Sequence, residues 1–221
     1  MDAKRIIPVL QLHAGLAAGP DPAVGPAEWA RRLELEGADG ILFQEAEPAL
    51  PGARAAWLRE VAGVLSIPFA LEAPFQAWAE LEEAMAAGVD QLVLAAPQAA
   101  EDPWLAAAVR RFGRVHVAVA VNAERTAGWR AEGRDALDWM AELERRGCGE
   151  ILLRAEPEGA ASAALVQGAA QLALSVLFRT GLEALAADAL LSGADGIACL
   201  PARSPKQWKQ ALAVHGLAFR D

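Results

Sequence analysis

The chain of 221 residues is long enough for one large domain or two small ones with a sizeable buried core. Hydrophobic residues make up 54% of it and charged residues 22%, which is typical of a globular protein and excludes extended disorder. A formal net charge of −9 without a basic cluster argues against binding to nucleic acid or to an anionic membrane. The sequence also lacks an apolar run as long as a membrane-spanning helix or a secretion signal, so we expect a cytoplasmic protein.

Short apolar segments recur along the chain, and every second one begins with a turn glycine that follows a helix-like segment. In chain order, the predicted strand segments are Ile6–Leu12, Gly37–Phe43, Pro68–Glu72, Gly88–Leu94, Val115–Val121, Gly147–Leu153, Ser175–Arg179 and Gly193–Cys199. Helical periodicity predicts a helix after each of them: Ala27–Glu36, Ala53–Val64, Gln76–Ala87, Asp102–Phe112, Ala136–Arg146, Ala160–Ala170, Leu182–Ser192 and Ser204–Val214.

Eight consecutive strand–helix units fit either a long doubly wound sheet or a closed barrel. No nucleotide-binding glycine fingerprint follows the first strand, so the regular repeat favours a single-domain (β/α)8 TIM barrel. The loosest segments are Gly15–Pro26 and Glu124–Arg134, and neither divides the chain. We therefore predict one domain over residues 1–221, made of two related half-barrels at about 1–100 and 101–221.

Barrel enzymes carry their chemistry at the C-terminal ends of the strands, where the last inward-facing residue of each strand is informative. Period-two alternation in the fifth strand places Asn122 inward, and the same logic puts Gln11, Glu72 and Arg179 at the ends of the first, third and seventh strands. We expect Glu72 to face Arg179 and Gln11 to face Asn122. The second and sixth strands contribute two flanking side chains, Glu45 and Arg154.

Four segments of the sequence, Met1–Leu10, Glu36–Asp39, Arg111–Gly113 and Gly149–Arg154, resemble the HisA/HisF family of half-barrel duplications, in particular its cyclase subunit of imidazole glycerol phosphate synthase. The resemblance covers essentially the whole chain. It implies a barrel of the ribulose-phosphate-binding type and, if the protein is active, a lyase or cyclase reaction of histidine biosynthesis. We predict no cofactor and no metal site, because Cys148 and Cys199 lack the spacing of metal ligands.

The resemblance also implies two catalytic aspartates, at the ends of the first and fifth strands, where this chain has Gln11 and Asn122. A carboxamide cannot take up and return a proton near neutral pH. The family further binds phosphates on glycine-rich loops after the third and seventh strands. Those loops begin here with Glu72-Ala-Pro-Phe and Arg179-Thr-Gly-Leu, and the proline has no N–H to donate. We therefore predict a divergent barrel, a pseudoenzyme without the family's cyclase activity or its phosphate loops.

At the opposite end of the barrel, the resemblance implies a ring of charged residues that admits ammonia from a docked glutaminase. Arg5 and Glu150 match two members of that ring, whereas Gly40 and Gln91 replace an acid and a lysine. We expect Arg5 and Glu150 to face inward near His116 and to form a buried ion pair.

Several interpretations remain open. The polar residues at the upper face either bind a small polar or anionic ligand or form a plug in which they satisfy one another. The barrel is alternatively a non-catalytic partner of a glutaminase-like protein, or a subunit of a homo-oligomer, that docks by its N-terminal face. A third interpretation is an active cyclase that uses Glu45 or Glu72 as its base. His13 is more typical of a solvated loop residue, and Trp129 either covers the upper face or packs on its own loop.

Overall fold

A computed structural model describes residues 3–13, 16–17, 24–47, 52–100, 104–200 and 202–219. In these residues, each long strand pairs in parallel with the next one along the chain, and the last pairs with the first. The barrel strands are β1 (Arg5–His13), β2 (Ile41–Glu45), β3 (Phe69–Glu72), β4 (Gln91–Ala95), β5 (Val117–Arg125), β6 (Glu150–Glu156), β7 (Ser175–Arg179) and β8 (Gly196–Cys199). This closed order is the predicted (β/α)8 barrel.

Helices surround the barrel and agree with the predicted bounds to within two residues at each end. They are α1 (Pro26–Leu35), α2 (Ala53–Val64), α3 (Trp78–Ala86), α4 (Ala96–Ala100), α5 (Trp104–Phe112), α6 (Ala136–Arg145), α7 (Ala161–Ala169), α8 (Glu183–Leu191) and α9 (Pro205–Ala213). The short helix α4 is the one that periodicity does not predict. Among the helices that the structure describes, none has the length and apolar character to cross a membrane.

The strands separate two hydrophobic layers because their side chains alternate between the helices and the barrel interior. The larger layer, between strands and helices, includes Phe43 and Trp57, whose ring centroids are 5.1 Å apart. The interior layer is built from small and medium-sized side chains: Ile7, Val9, Leu42, Val93, Ala118, Ala120, Leu152, Leu177 and Ala198. Polar residues therefore occupy the two ends of the interior and leave its middle apolar.

A repeated glycine turn precedes every second strand of the barrel. Their glycines all have positive φ angles, of 88°, 106°, 90° and 114° at Gly37, Gly88, Gly147 and Gly193. In three copies an aspartate follows and accepts a hydrogen bond from the backbone N–H at the start of the preceding strand: Asp39 from Ile6, Asp90 from Phe69 and Asp195 from Val176, at 2.8, 2.9 and 2.8 Å. The third copy has Gly149 at this position, because a Cβ there would lie 2.2 Å from the carbonyl oxygen of Arg114.

One predicted loop is a hairpin. Strand β5 extends to Arg125 and pairs in antiparallel fashion with Trp129–Ala131, which pairs in turn with Arg134–Asp135. The expectation of a loose segment over Glu124–Arg134 was therefore wrong. Trp129 is half-buried and packs against the hydrophobic layer between strands and helices, which favours packing on its own hairpin over a cover for the barrel opening.

Candidate functional site

Five polar side chains at the C-terminal end of the barrel form a continuous row of hydrogen bonds, which we call the upper ring: Gln11, Gln44, Glu72, Arg154 and Asn122. Nε2 of Gln11 donates to Oε1 of Gln44 at 3.5 Å, and Nε2 of Gln44 donates to Oε2 of Glu72 at 3.2 Å. Arg154 forms an ion pair with the same oxygen of Glu72, and its Nη1 donates to Oδ1 of Asn122 at 3.3 Å. The row thus joins β1, β2 and β3 to β5 and β6.

Strand register brings these residues together. Gln11, Gln44 and Glu72 are direct neighbours across β1, β2 and β3, and Asn122 is the neighbour of Arg154 across β5 and β6. All five continue the inward-facing rows of their strands. The Arg154 side chain is long enough to reach from β6 to the carboxylate on β3, so it connects the two groups of neighbours.

Arg179 is the last residue of β7 and faces inward, where it adds a second cation beside the upper ring. It is half-buried, and its guanidinium makes no hydrogen bond to another residue that the structure describes. Burial, together with the like charge of Arg154, lowers the pKa of its guanidinium below the usual value, while Glu72 and Glu158 oppose the shift. The carboxylate of Glu72, which was expected to face Arg179, interacts with it through charge, but its ion-pair partner is Arg154.

Glu45 lies on the outer side of β2 and not beside the ring, which corrects the prediction made from the sequence. Its Oε2 accepts a hydrogen bond from Nε of Arg54 at 2.8 Å within the helix layer, and both side chains are almost fully buried. The reason is strand alternation: Phe43 and Glu45 share the outer face, which leaves Gln44 inside. Gln44 is the ring member that sequence reasoning missed, although the outward position of Phe43 was a signal for it.

The segment after β3 uses its backbone N–H groups internally. The N–H of Phe75 donates to the carbonyl of Ala73 at 2.9 Å, and Pro74 has no N–H. The side chain of Gln98 in α4 donates to the carbonyl of Phe75 at 2.5 Å. Glu72 also places a carboxylate at the start of this segment. An anion would therefore find few free donors there.

The segment after β7 is similarly occupied. The N–H of Thr180 donates to Ala198, and the N–H of Leu182 donates to Oγ1 of Thr180 at 3.1 Å. The Thr180 hydroxyl in turn donates to Glu158 at 2.8 Å. Gly181, whose N–H has no such partner among the described residues, precedes the N-terminus of α8. The side chain of His13 and residue Pro201 lie outside the described residues.

At the opposite end of the barrel, Arg5 and Glu150 form the ion pair expected from the sequence. Nη2 of Arg5 lies 2.5 Å from Oε2 of Glu150 and donates to Oγ of Ser175 at 2.8 Å. The exposed fractions of the two ionic side chains are 29% and 7%. His116 lies in a 3-10 turn nearby and contacts the carbonyl of Asp90 through Nδ1 at 2.6 Å.

A cavity of about 360 Å³ opens beside this ion pair and enters the barrel interior. We call it the basal cavity. Its inner wall is apolar and includes Leu42, Ala70, Val93, Ala118, Leu152 and Leu177. Gly40 and Gln91, the two positions where the charged ring differs from the family pattern, both lie at its mouth.

Metal-binding or thiol chemistry finds no support in the described part of the chain. No group of three histidine, cysteine or acidic side chains is close enough there to hold a metal ion. Cys148 and Cys199 are both buried, and burial raises the pKa of each thiol to about 12.

Comparison with known proteins identifies relatives. A family model described as "Histidine biosynthesis protein" matches residues 5–163. The imidazole glycerol phosphate synthase subunit HisF of Metallosphaera sedula is 35% identical over 139 residues, which cover 58% of this chain and 55% of that protein. The HisF subunits of Actinobacillus succinogenes and Actinobacillus pleuropneumoniae serotype 7 are each 30% identical over 176 residues, 69% of this chain and 68% of theirs. The chain thus spans about half the length of the first relative and about two thirds of the other two.

Proposed function

Since the chain belongs to the histidine biosynthesis protein family, we propose that it is a divergent barrel that does not catalyse the family's cyclase reaction and that binds a small polar or anionic ligand at its upper ring. One observation carries the proposal: the two strand ends where the resemblance implies catalytic aspartates present the carboxamides of Gln11 and Asn122, and both are hydrogen-bonded within the ring. Neither group can serve as a general acid or base near neutral pH.

Two neighbouring guanidinium groups favour an anionic ligand. Arg154 of the upper ring is paired with Glu72, whereas Arg179 beside the ring interacts with Glu72 and Glu158 through charge and forms no ion pair among the described residues. Within the described part of the chain, neither the buried Nε of Arg154 nor the guanidinium of Arg179 has a hydrogen-bond partner. A carboxylate or phosphate between the two arginines would satisfy these donors and relieve the repulsion between the like charges.

Loss of the family reaction is tested by turnover. Purified protein is incubated with the family's phosphorylated substrate and ammonia, with Gln11→Ala as the matched variant. We expect no turnover in either protein above the uncatalysed rate. Turnover by the wild type that disappears in Gln11→Ala would refute the proposal.

Ligand binding is tested by thermal shift, since a ligand that binds the folded state raises its apparent stability. The probes are inorganic phosphate, phosphorylated ribonucleotides and small non-phosphorylated carboxylates. We expect at least one of them to raise the melting temperature of the wild type and of a surface control, Arg59→Ala, but not of Arg179→Ala. No shift with any probe would favour a polar plug over a binding site.

A second function, a non-catalytic partner of a glutaminase-like protein, is favoured by a different observation. Several helices and turns at the N-terminal face of the barrel end in exposed apolar side chains: Leu35, Val64, Val115, Leu191 and Val214. One of them, Val115, lines the basal cavity together with Arg5 and Glu150. Co-purification with a glutaminase-like protein, weakened by Val115→Glu, would support this function. A monomer without such a partner would exclude both it and the homo-oligomer.

The third interpretation, an active cyclase with altered residues, has the least support. Glu45 has no access to a substrate at the barrel opening, because it is buried against Arg54 in the helix layer. Oε2 of Glu72 already accepts hydrogen bonds from Gln44 and Arg154, so this oxygen is engaged within the ring.

A further inference from the structure

We infer that the basal cavity is a second binding site, for a small uncharged apolar molecule that enters from the N-terminal face of the barrel. The inference is independent of the proposed function, because it concerns the opposite end of the barrel and none of the upper-ring residues.

The size of the cavity is the first argument. Ligand sites in proteins have volumes of about 300–1,000 Å³, with mostly apolar walls and a few polar groups. The basal cavity, at about 360 Å³, falls within that range. It is more than twice the volume of an engineered cavity of about 150 Å³ that binds benzene. A molecule with one or two fused rings, or an aliphatic molecule of similar size, therefore fits.

The volume of the basal cavity arises from small side chains on two strands. Ala70 on β3 and Ala118 on β5 point into the interior, and Gly40 before β2 contributes no side chain. The leucines and the valine on the neighbouring strands form the remaining wall. Because these residues belong to the rigid strands of the barrel, the cavity is preformed and requires no rearrangement to open.

The polar groups at the mouth argue against a charged occupant, because each already has a partner within the protein. Glu150 binds Arg5. Asp39 accepts from Lys209 at 2.9 Å, and Asp90 accepts from the N–H of Phe69. The wall beyond this mouth is apolar, so a ligand charge buried there would lose its hydration without a polar contact, which is costly. The apolar wall is the part of the cavity that a ligand can contact, so we infer an uncharged ligand.

The experiment uses isothermal titration calorimetry with three probes that share one ring system: indole, indole-2-carboxylate and tryptamine. We expect saturable binding of indole to the wild type, and at least tenfold weaker binding of the two charged analogues. Tighter binding of either charged analogue than of indole would overturn the inference, and so would the absence of saturable binding of indole.

Two variants fill the cavity, Ala70→Leu and Ala118→Leu, and Ala56→Leu on the exposed face of α2 is the matched control. We expect the Kd for indole to rise at least tenfold in each filled variant and to stay unchanged in Ala56→Leu and in Arg179→Ala. Circular dichroism verifies that the variants fold, and Ala70 is only half-buried, so its replacement has room even if Ala118→Leu does not fold. Unchanged binding in a folded filled variant would place indole elsewhere and overturn the inference.

Discussion

Glu45 and Arg54 form an ion pair inside the helix layer of the barrel, with Oε2 of Glu45 2.8 Å from Nε of Arg54. Arg54 also donates to Glu80 at 3.0 Å and lies over the ring of Phe75. Burial by itself lowers the pKa of Arg54, but the hydrogen bonds to Glu45 and Glu80 outweigh it, so the pKa is raised overall. The cluster links the end of β2 to the first turns of α2 and α3. Its role is therefore structural, and it is not part of the upper ring.

Arg54→Met is therefore expected to lower the free energy of unfolding by about 3–5 kcal/mol, because it leaves the buried Glu45 carboxylate without a counter-charge. Urea denaturation followed by circular dichroism measures the change. The double variant Glu45→Leu/Arg54→Met removes both charges and should recover most of the loss. If Arg54→Met costs less than about 1 kcal/mol, the pair contributes no more than an exposed one.

Two glycine-to-alanine substitutions separate the effect of a steric clash on stability from the effect of reduced backbone freedom. Gly149→Ala should destabilise the protein by about 3 kcal/mol, because its Cβ would overlap the backbone of Arg114 at 2.2 Å. Gly63→Ala, in α2, meets no atom within 4 Å and should stabilise it by about 0.5–1 kcal/mol. Thermal unfolding of both variants measures the two effects. Equal changes in stability for the two variants would contradict the close approach of the backbones at Gly149 and Arg114.

The buried thiols predict a pH dependence. The pKa of Cys148 and of Cys199 is about 12 in the folded state, above the ordinary value near 9 in the unfolded chain. The stabilisation from the two protonated thiols is therefore fully present below pH 9 and is lost as the pH rises toward 12. Iodoacetamide at pH 8 should label neither thiol in native protein and both in urea. Rapid labelling of the native protein would show that a thiol is accessible.

Restoring carboxylates at the upper ring should not restore the family's reaction. In Gln11→Asp/Asn122→Asp both proton-transfer groups return, but the backbone N–H groups after β3 stay engaged, and Pro74 still has none. We expect no turnover with the family's phosphorylated substrate and ammonia. Turnover in the double variant above that of the wild type would show that the two carboxamides alone account for the loss.

Much of the upper ring could be predicted from the sequence because strand alternation is local. Gln11, Glu72, Asn122 and Arg154 all lie where period two places them. The prediction for Glu45 was wrong because it took the last residue of the short strand Ile41–Glu45 as inward-facing without considering the alternation of the strand. A shift of one residue moves a side chain to the opposite face of the sheet. The division into two related half-barrels stays a prediction.

The sequence by itself determined the eight strand–helix units and the glycine turns, because hydrophobic periodicity and positive φ angles depend on residues close together in the chain. Only the tertiary structure decided which strand ends meet. Arg154 reaches Glu72 across 82 positions of sequence because the sheet closes on itself. The basal cavity likewise depends on two alanines from separate strands whose missing volume adds up in one place. Such coincidences depend on barrel closure and strand stagger, which no local pattern encodes.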